Sequence, residues 1–461
     1  MATLIKNGTI VTGNDVFKAD LRIKDGTIRS IGPALEHAGD VVVDATDRLV
    51  FPGGIDVHTH LDMPFMGAKS TDDFETGTIA AAMGGTTSIV DFIVPVKGRP
   101  LREALETWQG KAEGKAAIDY GFHMCIVEMT SSTLDELDAM LDEGITSFKL
   151  FTAYPGALMI DDGAIFKILR WAADRDALIQ VHAENGPAIA EIVDAMVAEG
   201  KTDPKYHGLS RPSVLEGEAT ARTIALAEVA GAPLYVVHLT CREALEAVGK
   251  ARKRGQRVYA ETCPQYLYLS ADEMARPGFE GAKFVCTPPI RDRSHAPALW
   301  RGLRQGDILT VATDHCPFDY DGAKRMGEGD FRKIPSGLPG IETRMALTYQ
   351  GVVEHKISLT RFVDATATKP AKLFGLYPRK GAIVPGADAD IVLWDPARDY
   401  SLSHADLHMR VDYSPYEGMT IKGGPDKVFV RGEMVVDDGK FLGKPGFGRY
   451  LFRTRFHPVE L

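Results

Sequence analysis

Eight short apolar runs lie between residues 52 and 382, ending near His60, Phe92, Val127, Phe151, His182, His238, Glu261 and Thr313. Helical patterns follow most of them, among others over 133–143, 163–174, 187–199 and 242–254. A strand that is apolar on both faces must be covered on both, and alternation with helices is how a parallel sheet achieves this. Eight such units predict an α/β fold with one (β/α)8 TIM barrel over 52–382. Barrels of this kind place their chemistry at the C-terminal ends of the strands, so reactive side chains are to be sought there.

The flanks read differently. Asn7-Gly8 separates Leu4-Ile5 from Thr9-Ile10-Val11, and Asp25-Gly26 separates Leu21-Arg22-Ile23 from Thr27-Ile28. Such dipeptides between β-branched runs predict hairpins. The far end repeats the style, with a strand over 390–394 and a hairpin of 427–430 with 434–436 about Arg431-Gly432. Isolated hairpins are marginal in water, so 1–51 and 383–443 are expected to pair into one small sheet domain with the barrel inserted between them. Residues 444–461, with Arg449, Arg453 and Arg455, are expected to be extended, either loose or laid on a neighbouring subunit.

Composition narrows the function classes. With 53 Lys and Arg against 63 Asp and Glu, the 461-residue chain has a net charge of −10. That balance argues against general nucleic-acid binding, which draws on a basic face. The five cysteines, Cys125, Cys241, Cys263, Cys286 and Cys316, are odd in number and lack CxxC spacing. Reduced thiols are therefore expected rather than bridges or zinc ligands. The N-terminus has no apolar core of signal-peptide length, and the apolar stretch 223–239 is broken by Glu228, Gly231 and Pro233. A cytoplasmic enzyme with neither membrane nor nucleic-acid partners is the expectation.

The strand ends carry an unusual set of polar residues. His58 and His60 close Gly54-Ile55-Asp56-Val57-His58-Thr59-His60, and alternate residues of a strand share a face. His182 ends the fifth run, His238 the sixth, and Asp314 follows the eighth. Any one of these histidines alone is more often a hydrogen-bonded core residue than a ligand. Four of them with a carboxylate at one end of a barrel would be costly to bury unless something satisfied them. Imidazole nitrogens and carboxylate oxygens suit Zn2+ first, with Mn2+ or Co2+ as alternatives. His123, His315, Cys263 and Cys286 also lie near strand ends and are assigned to the core or to supporting roles.

Lys149 decides between one metal ion and two. It sits in an apolar run over 145–151, where burial favours the neutral amine. Such an amine can take up CO2 as a carbamate (N6-carboxylysine), whose two oxygens would bridge two divalent ions. An ammonium in the same place would be repelled by both.

These residues fall within longer segments. They include Pro52-Gly53-Gly54-Ile55-Asp56-Val57-His58-Thr59-His60-Leu61-Asp62-Met63-Pro64-Phe65, Gly84-Gly85-Thr86-Thr87 and Phe148-Lys149-Leu150-Phe151-Thr152-Ala153-Tyr154. His182-Ala183-Glu184-Asn185, Val237-His238-Leu239 and Thr313-Asp314-His315-Cys316-Pro317-Phe318 continue the series. Lys369-Pro370-Ala371-Lys372-Leu373-Phe374-Gly375 and Gly386-Ala387-Asp388-Ala389-Asp390 complete it. In them the chain resembles the amidohydrolase superfamily, and within it the dihydropyrimidinase/hydantoinase family, over essentially its whole length. The resemblance implies His58, His60 and Asp314 on one zinc ion, His182 and His238 on a second, and carbamylated Lys149 bridging the two. It also implies a barrel inserted in a small β-sandwich, a homotetramer, and ring opening of dihydropyrimidines or 5-substituted hydantoins to N-carbamoyl amino acids.

On that reading, hydroxide held between the ions attacks the ring carbonyl. Asp314 takes its proton and delivers it to the leaving nitrogen, and Tyr154 stabilises the oxyanion. The family holds the ureide through backbone groups at positions matching Thr287 and Ser336, where Ser and Asn are usual. Met63, Phe65, Phe151 and Leu158 flank the expected mouth, either as a hydrophobic pocket for a ring substituent or as ordinary loop packing. Dihydroorotase-like relatives place an arginine two residues after His-x-His. Here Asp62 stands there, and a carboxylate is expected to repel an anionic substrate. Allantoin, a neutral ureide, remains an alternative substrate. A mononuclear deaminase using Glu184 as proton shuttle and a non-catalytic relative are the other classes weighed.

Overall fold

The computed structural model describes residues 2–36 and 38–459. Met1, His37, Glu460 and Leu461, which fall in the ranges 1–51 and 444–461, lie outside the described residues. The eight apolar runs become strands Gly54–Thr59, Thr86–Ile93, Asp119–Cys125, Ser147–Phe151, Leu178–His182, Leu234–Val236, Val258–Thr262 and Thr310–Val311. They pair in parallel in chain order. The ring is drawn together where Thr59 bridges His315 and the His60 N–H donates to the His315 carbonyl at 2.9 Å. The helices that cover the strands follow the expected pattern, at Thr133–Asp142, Asp162–Ala173, Gly186–Ala198 and Arg242–Lys253. Two begin on sequence-coded caps: the Asp161 side chain accepts from the Ala164 N–H, and Asn185 from the Ala188 N–H.

Both flanks enter one seven-stranded sheet. In it Leu49–Pro52 pairs antiparallel with Ile391–Ser401, which pairs in turn with Thr420–Val430. A second sheet of four strands, Thr27–Gly32, Asp20–Lys24, Thr3–Lys6 and Val41–Asp44, packs on it. Ile5, Leu21 and Ile23 of the second sheet share a core with Val50, Ile391 and Leu393 of the first. Asp25-Gly26 and Arg431-Gly432 turn hairpins as predicted, with all four residues at positive φ.

Asn7-Gly8 does not turn a hairpin. Thr3–Lys6 pairs with Asp20–Lys24 and Val41–Asp44, whereas Thr9–Val11 pairs with Val16–Lys18 and Leu49–Pro52. The dipeptide carries the chain from one sheet to the other. Asn7 takes the left-handed conformation its type tolerates, at φ 67°. Its N–H donates to Asp20 at 2.9 Å and its side-chain amide to Asp44 at 3.0 Å. A Cβ on Gly8 would come within 2.5 Å of the Val50 side chain. The local signal reported backbone conformation correctly, and burial against Val50 chose the partner.

The tail is extended and lies across the N-terminal end of its own barrel. Tyr450 bridges Tyr120, Arg453 donates to the Ser147 hydroxyl and the Phe122 carbonyl, and Phe456 packs on Tyr259. All five cysteines are free and buried. Among the described residues no helix is long and apolar enough to cross a membrane.

Candidate metal centre

The first, fourth, fifth, sixth and eighth strands bring six side chains together at the C-terminal end of the barrel. His58 Nε2 lies 3.1 Å from Asp314 Oδ1 and 3.0 Å from Lys149 Nζ. His60 Nε2 is 3.1 Å from the same Asp314 oxygen. His182 Nδ1 and His238 Nε2 face each other at 3.0 Å. The nearest ligand atoms of His58, His238 and Asp314 lie within 4.8 Å of one another, compatible with a shared ion. His238 and Asp314 reach in from left-handed backbone, at φ 35° and 54°. For non-glycine residues such strain clusters at functional sites.

Electrostatics and pairing fit divalent ions. Burial pushes His60 down to about 4 and His238 well below the usual imidazole range, so both rings are neutral, as ligation requires. Burial works against the Asp314 charge, yet His58 and His60 hold this carboxyl well below the usual range. The Nδ1 atoms of His60 and His238 are buried without partners. Lys149 is 2% exposed, and burial lowers its ammonium pKa. Its Nζ lies 4.2 Å from the Phe92 ring centre and pairs with no carboxylate among the described residues. Burial favours the neutral amine there, although the nearby Asp314 and Glu261 charges partly offset it.

Two carboxylates support the ligands: Glu261, which was not singled out as functional, and Glu184, weighed only as the proton shuttle of a deaminase. Glu261, wholly buried at the end of the seventh strand, lies 2.6 Å from His58 Nδ1 and accepts from the His238 N–H at 3.0 Å and the Tyr235 hydroxyl at 2.8 Å. It fixes the His58 tautomer with Nε2 turned toward Asp314 and Lys149. A polar residue at an apolar strand end was the signal for it, the same one that marked His182. Glu184 lies 2.8 Å from His182 Nε2 and is tied to Arg211, away from the pocket lining. His123 and His315 are engaged elsewhere, His123 by Ser147, Gln180 and the Val57 carbonyl, His315 by Asp72 and the Gly340 N–H.

The centre opens into a pocket of about 540 Å³ counted out to its mouth. Met63, Phe65, Phe151, Tyr154, Leu158, Thr287 and Ser336 all line it, joined by Val94, Cys316 and Gly337, which were not foreseen. Tyr154 stands at φ 64° with its ring 5.4 Å from His182, and burial raises its phenol. The Thr287 hydroxyl donates to that of Ser336 at 3.1 Å. Asp62 does not line the pocket. Its carboxylate pairs with Lys69 at 2.5 Å and Lys111 at 3.8 Å, so the expected repulsion of anionic substrates does not come from it. What the position denies such a substrate is a cation.

Comparison with known proteins agrees with this geometry. The model of the amidohydrolase family matches residues 49–435. D-hydantoinase of Geobacillus stearothermophilus is 51% identical over 458 residues, covering 99% of this chain and 97% of the relative. D-hydantoinase of Ralstonia pickettii is 51% identical over 456 residues, covering 99% and 100%. The crystal structure of dihydropyrimidinase from Brevibacillus agri NCHU1002 superposes with a TM-score of 0.98 at 49% identity, covering 99% of this chain and 100% of that one. The chain belongs to the amidohydrolase family, on its dihydropyrimidinase/hydantoinase branch.

Proposed function

We propose that the protein is a binuclear-metal cyclic amidase that opens the ring of dihydropyrimidines or 5-substituted hydantoins to N-carbamoyl amino acids. The observation that carries this reading is Lys149, buried with no carboxylate in direct ion pairing among the described residues and 3.0 Å from His58 Nε2, under a mostly apolar pocket. As a carbamate it would supply the missing negative charge and two oxygens between the His58, His60, Asp314 group and the His182, His238 pair. Two divalent ions held there, zinc first and manganese or cobalt as alternatives, would lower the pKa of water and polarise the ring carbonyl.

The chain's own groups supply the rest. Asp314, kept ionised by His58 and His60, accepts the proton of the attacking water and returns it to the leaving ring nitrogen. Tyr154, with its phenol kept protonated by burial, donates to the oxygen on which charge develops. Thr287 and Ser336 face the ring, and Met63, Phe65, Phe151 and Leu158 receive an apolar substituent. A deaminase built on Glu184 would leave Lys149 without a role, and Glu184 is already held by Arg211. We also propose a homotetramer, on the likeness to the dihydropyrimidinase/hydantoinase family alone.

The test is a side-by-side assay of dihydrouracil, allantoin, dihydroorotate and both enantiomers of a 5-substituted hydantoin, with metal counted per chain. Turnover of the neutral rings by protein holding two ions is expected. A fully loaded protein that opens none of them, or prefers dihydroorotate, would sink the reading.

A further inference from the structure

Another buried lysine lies outside the metal centre. Lys324 opens the turn Lys324–Gly327 in the long segment after the eighth strand and is fully buried. Its Nζ donates to the carbonyls of Val285, Pro335 and Gly337 at 2.9, 2.8 and 2.8 Å. Three acceptors meet the three N–H groups of an ammonium, so its donor capacity is fully used. It pairs with no carboxylate among the described residues, and burial pushes it down to about 7. A methionine would fill such a space without the cost of a buried charge.

The three carbonyls belong to two loops that face each other across the pocket wall. Val285 stands two residues before Thr287, after the seventh strand, while Pro335 and Gly337 flank Ser336, after the eighth. The Gly337 N–H crosses to the same Val285 carbonyl at 3.1 Å, and the Thr287 hydroxyl crosses to Ser336. Thr287, Ser336 and Gly337 line the pocket, while Lys324 does not. The lysine therefore stands behind the wall and holds its two halves together.

We infer that Lys324 is a positioning residue for substrate binding: its ammonium ties the loops together and sets the main chain around Thr287 and Ser336 at the spacing a cyclic ureide ring requires. This rests on the cyclic-amidase reading of the pocket. A neutral side chain of similar volume removes all three donors and frees the two halves to separate, without touching a metal ligand. The loss falls on ground-state binding rather than on the chemical step.

The experiment compares the wild-type metal-loaded protein with K324M, using dihydrouracil kinetics, metal content and amide hydrogen exchange. Expected for K324M is a KM raised roughly tenfold or more, kcat within about threefold, and unchanged metal content. Exchange at Gly337 N–H should accelerate at least about tenfold, with the barrel strands unaffected. An unchanged KM with Gly337 still protected overturns the inference, as does parallel loss of kcat and metal. Should K324M not fold, K324R replaces it. The planar guanidinium does not match three divergent acceptors, so KM should still rise severalfold, and a wild-type KM in K324R would overturn the inference. A wild type that binds two ions but opens neither dihydrouracil nor a 5-substituted hydantoin refutes the functional reading instead, and Gly337 exchange still tests the clamp.

Discussion

At the N-terminal end of the barrel, Lys380 donates to Asp119 at 2.6 Å and Asp390 at 2.7 Å, with Asp388 3.0 Å away. At the C-terminal end, Lys149 is as deeply buried, and among the described residues it meets an imidazole and two phenylalanine rings but no paired carboxylate. The histidines divide in the same way. His123, in the barrel interior below the centre, has partners at both ring nitrogens, whereas His60 and His238 each leave one nitrogen unmatched. Buried polarity alone therefore does not mark the site. Nor does a single unmatched atom, since Trp300 Nε1 and Trp394 Nε1 are also buried without partners; the mark is two imidazoles with unmatched nitrogens, a carboxylate and a buried lysine meeting at one end of the barrel.

The comparison can be broken most decisively at its two lysines. K149A should abolish metal retention and lower kcat by at least about a thousandfold together, read by elemental analysis and turnover. Full activity with two ions in that variant would remove the distinction between the ends. K380M should do the opposite. It leaves Asp390 buried without its cation, while Asp119 keeps Arg431, so the cost in denaturant unfolding should reach about 3–5 kcal/mol at most, and turnover per bound metal stays near wild type. A smaller effect belongs to E261Q, which disturbs the His58 tautomer and should weaken metal affinity about 10–100-fold in a chelator competition.

The smallest expected effect contrasts a histidine raised by its carboxylate partner with one lowered by burial. The hydrogen bond to Glu342 raises His408, half-exposed at 37%, while burial lowers His60 to about 4. Burial also lifts the Glu342 carboxyl, which keeps the pair weak. A raised histidine contributes stability that is full below its unfolded pKa near 6.5 and lost as pH rises through its folded value. H408Q should therefore flatten a decline of less than about 1 kcal/mol beginning above pH 6.5. An equally steep decline in H408Q would assign it to another group.

Much of this was legible in the chain because it was local. Strand ends are written as apolar runs, and His58, His60, His182, His238 and Asp314 could be placed at one end of a barrel by counting alone. What escaped depended on partners far away in sequence. Asn7-Gly8 has the composition of a hairpin, but Val50 and Asp44, some forty residues on, decide where its flanking strands go. Asp62 looked like a charge facing substrate until Lys69 and Lys111 were seen to take it up. Lys324 gave no signal, because its acceptors are main-chain carbonyls, which every sequence possesses.

One continuous stretch of backbone joins the sandwich to the reactive centre. Leu49–Pro52 is stitched between strands of the seven-stranded sheet, and after Gly53 alone the chain resumes as Gly54–Thr59 carrying His58. A side chain at Gly53 would collide with Thr87 of the second barrel strand, so the joint has no slack. A bend imposed on the outer sheets by heat, a fusion partner or a surface graft would travel along this rod to the first pair of imidazoles. Hardening the protein against heat could then begin some 20 Å from the chemistry it protects, at about 3.3 Å of strand per residue.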